Sequence, residues 1–314
     1  VILATLKDTT LDGRLVVVSP TRGHSAPAPV QTLQEALEHW DELALELAEI
    51  QDFPDPLNTA RLAAPLPRAW QWLDGSVYPT HAELMQIAFG LDPIDGDRPL
   101  MYQGLSDKFY GPTDEVKLPK ESHGIDFEGE FGVIVDHVPM GTSAADALDH
   151  IKLLVQINDW SLRAIAPVEM KTGFGWVQAK PACSMAPFAV TPDELGEHWR
   201  DGRVCLDLHI AWNGRDFGRA NGQPMLFGFH ELVAHAALTR DLVAGTVIGS
   251  GTVSNANYRE VGSSCISEVR AIEMINEGKA KTGFMRFGDQ VRMEAQTADG
   301  VAPFGAIDQK VIKA

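Results

Sequence analysis

Two glutamates set two residues apart are the most chemically suggestive feature of this chain. In the stretch 123–135, HGIDFEGEFGVIV, Glu128 and Glu130 flank a single glycine. An extended strand alternates its side chains, so both acids project from one face while Phe127, Phe131 and Val133 project from the other. Like charges that close repel, which is tolerable where both face water, as on an ordinary solvated strand, or where both share a cation. Hard divalent cations take carboxylate oxygens, so the second reading calls for more acids. Asp159 is one, set just past an apolar run, LLVQI, at the kind of strand end where ligands are assembled. Asp74 is another, in the turn-rich stretch 68–99 that also carries His81 and Glu83. A histidine beside an acid in a mobile loop is one way to carry a general base, the plain alternative being a solvated surface histidine. Lys180 lies in an irregular stretch; lysines are usually solvated, but one near a carboxylate cluster can neutralise a developing oxyanion.

The elements that must position these residues are partly legible. Short β-prone runs at Ile2–Leu6 and 15–18, with Asp12-Gly13 between them, predict a hairpin. Thr32 and Glu35 have capping-box spacing, and Leu33, Ala36, Leu37, Trp40, Leu43, Ala44 and Leu47 recur at helical spacing, which predicts one amphipathic helix. Two proline-rich passages, at 53–56 and 64–67, then mark a boundary near residue 64. The stretch 68–99 reads as a loop able to fold over something, briefly helical before Gly90. Ser143 is placed to cap a short helix leading into the apolar run before Asp159. Val204, Leu206, Leu208, Ile210 and Trp212 alternate as in one half-buried strand and stop at Asn213-Gly214, and a last hairpin is expected from 290–295 and 301–312 around Asp299-Gly300.

Composition narrows the function classes. With 314 residues, 45% of them hydrophobic and 22% charged, the chain suits a large globular core or two domains. A formal charge of −17 opposes binding to nucleic acid or an anionic membrane and suits a protein that collects cations. Cys183, Cys205 and Cys265 are scattered without CxxC pairing, so neither a disulfide framework nor a thiolate zinc site is expected. Reduced thiols, and the lack of a long apolar run near Val1, lead to the expectation of a cytoplasmic protein without signal peptide or membrane span. His230 and His235 are five apart, not the four that a HExxH zinc helix needs. The glycine-rich GTVIGSGTVSN and GFGW runs lack the lysine or spacing of nucleotide-binding loops.

The pattern of D-x6-HA at 74–82, DFEGE at 126–130, NDWSLR at 158–163, Lys180 and GSGTVSN at 249–255 resembles the fumarylacetoacetate hydrolase family, in order as well as spacing. The resemblance covers about residues 65–314. It implies an α+β, mostly β fold: a mixed β-roll or sandwich catalytic domain at 65–314 behind a small N-terminal α+β domain at 1–64, assembled as a homodimer. It implies a divalent metal, Mg²⁺ foremost, with Mn²⁺ and Ca²⁺ as alternatives, held by Asp74, Glu128, Glu130 and Asp159, with water able to replace Asp74. His81 matches the family's general base, Lys180 its active-site lysine and Thr252 a substrate-contacting threonine, while Tyr78 and Arg163 fall at substrate-binding positions.

There are departures. Short relatives carry a glutamate three residues after the histidine, where this chain has Leu84, with Glu83 one position earlier. Relatives resembling fumarylacetoacetase use an acid after the GTxS segment; gapless alignment puts Ile266 there and Glu268 two residues on, on the same face if the segment is a strand. Ala166 replaces a common glutamine. The expected activity is hydrolysis of a carbon–carbon bond in a β-diketone or acylpyruvate, as in the catabolism of aromatic compounds. Decarboxylation, isomerisation or hydration of a 2-oxo acid through the same metal enolate is the alternative, and a non-enzymatic metal- or ligand-binding dimer is a third.

Overall fold

The computed structural model describes residues 1–90 and 96–314; the part of the expected 68–99 loop at 91–95 lies outside the described residues. The fold is α+β and mostly β. In chain order the main strands are β1 (Ile2–Leu6), β2 (Arg14–Val18), β3 (His24–Pro27), β4 (Asp55–Pro56), β5 (Trp72–Gly75), β6 (Met101–Gln103), β7 (Val116–Leu118) and β8 (Gly129–Val135). They continue with β9 (Ile151–Asn158), β10 (Ala189–Val190), β11 (Asp207–Trp212), β12 (Arg215–Asn221), β13 (Thr246–Gly249), β14 (Gln290–Gln296) and β15 (Ala306–Lys313). One long sheet runs β4-β3-β2-β1-β10-β9-β8-β13-β5-β6, and a second runs β12-β11-β14-β15-β7.

Residues 1–64 do not form a separate layer. β1 pairs with β10 through Ile2 and Val190, so the N-terminal strands continue the long sheet. Alternation along β1 and β2 puts Ile2, Ala4, Val16 and Val18 in the core on one face of that sheet, and Leu3, Leu15 and Val17 in the core on the other. The first core is shared with Phe127, Phe131 and Val133 and the second with Ile134, Leu153 and Val155. Buried on both faces, the central strands read as apolar runs, and β8 is buried along its whole length.

Several local expectations are corrected. The single helix expected over 33–47 is two, Leu33–Glu38 and Trp40–Glu49, broken at His39, whose φ of −122° leaves the helical region. The strand expected over 204–212 is interrupted after Val204 and resumes at Asp207, turning through Asn213 and Gly214, both at positive φ. The second strand of the last hairpin begins at Ala306, later than expected. The stretch after residue 68 is not a loop up to residue 90. It contains the buried strand β5, next to last in the long sheet between β13, to which it is parallel, and β6, and the helix α1 (Pro79–Phe89), with proline at its start and left-handed Gly90 at its end. The segment after Cys265 is a helix, α2 (Ile266–Glu277), where a strand was the condition attached to Glu268. Among the described residues no helix is long and apolar enough to cross a membrane.

Candidate active site

Strand order brings the acids together. β9, β8, β13 and β5 are neighbours, and register sets Gly249 beside Asp74 and Glu130 opposite Ile157. The ends of β5 and β9 and the start of β8 therefore meet at one end of the sheet, where Asp74, Glu130 and Asp159 converge. One carboxylate oxygen from each lies within 4.8 Å of the others, and all three side chains are buried. The glycine-rich run makes room for this: a Cβ on Gly249 would sit 2.4 Å from Asp74 Oδ1 and 2.3 Å from the Trp72 ring. Gly251, at φ +76°, donates its N–H to Asp74 Oδ1 at 3.1 Å. GSGTVSN is thus a close-packing loop around an acid.

Glu130 is the unusual member. Among the described residues neither of its oxygens has a hydrogen-bond partner, and the residue is fully buried. Burial, then repulsion from Asp74, Asp159 and Glu128, pushes its carboxyl well above the usual carboxylate range. Burial and the Asp159 charge push Asp74 up in the same way. A buried acid without a donor is costly unless something neutralises it, and three converging hard oxygens are what a divalent cation such as Mg²⁺, Mn²⁺ or Ca²⁺ requires.

Glu128, expected as a fourth ligand, stands immediately before β8 with both oxygens in use. Oε1 accepts from Arg163 Nη2 at 2.6 Å and Thr252 Oγ1 at 2.9 Å, while Oε2 accepts from Lys180 Nζ at 2.5 Å and Ser161 Oγ at 3.1 Å. Burial alone would raise its carboxyl, but Arg163, Lys180 and the neighbouring His81 overturn this and hold it well below the ordinary value. Lys180 also donates to Asp159 Oδ2 at 2.6 Å, tying Glu128 to the carboxylate cluster. Its ammonium resists the desolvation that opposes its charge because Asp159 and Glu128 raise its pKa above the lysine value.

The three expected substrate contacts are otherwise engaged, Thr252 through its bond to Glu128. Arg163 donates from Nε to Asp126 Oδ2 at 2.9 Å as well as to Glu128, so its guanidinium is committed to carboxylates. Tyr78 is buried, with its hydroxyl donated to the Gly222 carbonyl at 2.9 Å. Tyr102, which carries no motif, was missed. Its hydroxyl donates to Asp159 Oδ2 at 2.6 Å, and its ring lies 5.5 Å from Lys180 Nζ. Cys183 also reaches the cluster, with Sγ 3.0 Å from Asp159 Oδ1.

His81 sits in the first turn of α1 and not in a mobile loop. Its neighbour is Glu268, with Nδ1 and Oε2 3.7 Å apart, while Glu83 is exposed on the same helix. The acid beside the histidine is therefore Glu268, not Glu83. Helix α2 holds it there. Asp126 accepts the N–H groups of Ile266 and Ser267 at 2.8 and 2.9 Å, capping the helix one turn before Glu268 is complete. Ser254 Oγ donates to Glu268 Oε1 at 2.6 Å, and Oε2 is left facing the imidazole.

Residues 71–312 match the family model described as fumarylacetoacetate (FAA) hydrolase C-terminal, and residues 1–68 match fumarylacetoacetase N-terminal domain 2. The chain belongs to the fumarylacetoacetate hydrolase family, as its motifs imply. A 2,4-didehydro-3-deoxy-L-rhamnonate hydrolase from Sphingomonas sp. (strain SKA58) is 31% identical over 157 residues, 49% of this chain and 52% of that protein. The chain thus spans about half the length of the curated hydrolases it matches. The structure of maleylpyruvate hydrolase from Sphingobium sp. SYK-6, in complex with manganese(II) ion and pyruvate, is similar over 100% of both chains with TM-score 0.67 at 18% identity. The 5-carboxymethyl-2-hydroxymuconate delta-isomerase from Mycobacterium smegmatis is similar over 100% of this chain and 99% of that one, with TM-score 0.63 at 18% identity. These likenesses establish the fold; hydrolases and isomerases both occur among the similar proteins.

Proposed function

We propose that the protein hydrolyses a carbon–carbon bond in an acylpyruvate or related β-diketone, using a divalent cation held by Asp74, Glu130 and Asp159. The observation that carries this reading is Glu130, a buried acid that among the described residues has no donor and that converges with Asp74 and Asp159, while its neighbour Glu128 lies near the His81 of a histidine–glutamate pair. The manganese and pyruvate named for the Sphingobium hydrolase fit the same donor chemistry and product class. When bound, Mg²⁺, Mn²⁺ or Ca²⁺ supplies Lewis acidity toward substrate oxygens.

The side chains account for the remaining chemistry. His81 takes a proton from water at Nε2, and Glu268 beside Nδ1 orients the ring and balances the imidazolium. The resulting hydroxide adds to the acyl carbonyl. The carbon–carbon bond then breaks, its electron pair passing to the 2-oxo fragment as an enolate, which is protonated and leaves beside a carboxylic acid. The Lys180 ammonium, fixed between Glu128 and Asp159, supplies a positive charge toward oxyanions. We also propose that the protein works as a homodimer, which sedimentation velocity tests.

Acylpyruvates and fumarylacetoacetate, with and without EDTA, form the test, following loss of the conjugated diketone band. Two acids in equal amounts, formed only without EDTA, are the expected result. Release of CO₂ or a shifted double bond would replace hydrolysis by decarboxylation or isomerisation, and an inert panel would sink the reading.

A further inference from the structure

We propose that His81, Cys265 and Glu268 form a second cation site, softer than the carboxylate cluster, that takes Zn²⁺ or Cd²⁺. Ligand atoms from the three residues lie within 4.8 Å of one another, and they are a nitrogen, a sulfur and an oxygen, the donor types of zinc sites. Two donor atoms of these residues have no other occupation. Among the described residues His81 Nδ1 and Glu268 Oε2 lack hydrogen-bond partners, and Glu268 is fully buried. They are 3.7 Å apart, close to the roughly 3.5 Å expected between two ligands bound at ordinary zinc distances. Cys265 is also fully buried and is the N-cap of α2, with Sγ accepting from the Glu268 N–H at 3.3 Å.

The donor set determines which ions bind. Burial, with Asp126 nearby, pushes the Cys265 thiol well above its ordinary range, so an incoming cation must displace its proton to solvent as the metal–sulfur bond forms. Thiophilic Zn²⁺ and Cd²⁺ do this; Mg²⁺ and Ca²⁺ do not. One thiolate and one carboxylate neutralise the dication locally, and water fills a fourth position. A metal on Nδ1 also fixes the imidazole proton on Nε2, so His81 loses the lone pair with which it would deprotonate water. This inhibition, unlike the binding site itself, rests on the role proposed for His81.

The test uses the whole protein saturated with Mg²⁺ and titrated with Cd²⁺, reading the ultraviolet thiolate-to-cadmium charge-transfer band. Wild type, Cys183→Ser and Cys205→Ser are expected to gain the band at one equivalent. Cys265→Ser should lose it and weaken binding of that equivalent by more than the roughly 10- to 100-fold that loss of an outer-shell partner costs. Serine preserves the helix cap, and circular dichroism verifies folding. Absence of the band in wild type, its survival in Cys265→Ser, or its loss in Cys183→Ser instead would overturn the site. Zn²⁺ should also inhibit diketone turnover in wild type more strongly than in Cys265→Ser. A cadmium band with full turnover would leave the site standing and remove His81 as the base.

Discussion

Two groups of buried acids lie side by side at the end of the long sheet and are treated oppositely. Asp126 and Glu128 are saturated: Arg163 bridges them, Lys180, Ser161 and Thr252 complete Glu128, and two helix N–H groups complete Asp126. Glu130 is left to the repulsion of Asp74 and Asp159, and among the described residues it has no donor. Equal burial with unequal compensation separates structural charge from charge kept for a ligand. A protein that needed these acids only for folding would have paired both groups, since an unpaired buried charge is destabilising.

The contrast is broken most severely at Glu130. Glu130→Met should lower turnover by about a thousandfold or more if the proposed reading holds, because it removes a proposed ligand from the electrostatic centre of the site. In EDTA the same change should leave stability unchanged or raise it by ~1 to 3 kcal/mol in urea denaturation, since a repelling buried acid is replaced by packing. A marked loss of stability would mean that Glu130 has a structural partner. Arg163→Met tests the saturated side. It leaves Asp126 and Glu128 without their shared cation, so urea denaturation should give a loss of about 3–5 kcal/mol. Next in size is the choice between two glutamates: Glu268→Gln should lower kcat/KM about a hundredfold, and Glu83→Gln should change it less than about twofold. Equal effects would remove Glu268 from its place beside the base.

Much of this was readable from the residues because strand ends and turns have strong local signatures. Glu128, Glu130 and Asp159 stand out through spacing and position, and the β1–β2 hairpin and the Ser143 cap follow from local chemistry. What was not readable depends on contacts distant in sequence. Asp74 lies in a segment whose aromatics and glycines resemble a loop, yet Trp72 and Asp74 are buried strand residues, because β13, far along the chain, supplies the neighbour and Gly249 the space. Period-two alternation cannot distinguish a solvated face from a strand buried on both sides, so the division between Glu128 and Glu130 was hidden. Whether Glu83 or Glu268 meets His81 depends on α1 packing against α2, a tertiary fact. Tyr102 lies in a three-residue strand and has no local mark.

The smallest expected effect is also the most direct reading of the contrast: how each group responds to pH. Asp74 and Glu130 have folded-state values above their unfolded ones, so the stability they contribute is present below the unfolded carboxylate range, near pH 4, and is lost as pH rises through the folded values. Glu128 is shifted the other way, while burial raises its partner Asp126 despite Arg163, so within the saturated group it is Glu128 whose contribution is present above that range and lost as pH falls. A cation bound to Asp74 and Glu130 must displace the protons that burial keeps there. Its affinity should therefore rise with pH, by up to about tenfold per unit for each proton released, until those groups ionise unaided. Calorimetric titration of the EDTA-treated protein with Mn²⁺, in buffers of different ionisation enthalpy, reads that proton count directly. The rise in Tm on adding Mn²⁺ should likewise be larger at pH 8 than at pH 5. Pairing in the Asp126–Glu128 group is already complete, so Arg163→Lys, which keeps the positive charge, should leave the proton count unchanged. If the count is zero in wild type, Asp74 and Glu130 are already ionised without the cation, and the division between saturated and waiting acids does not hold.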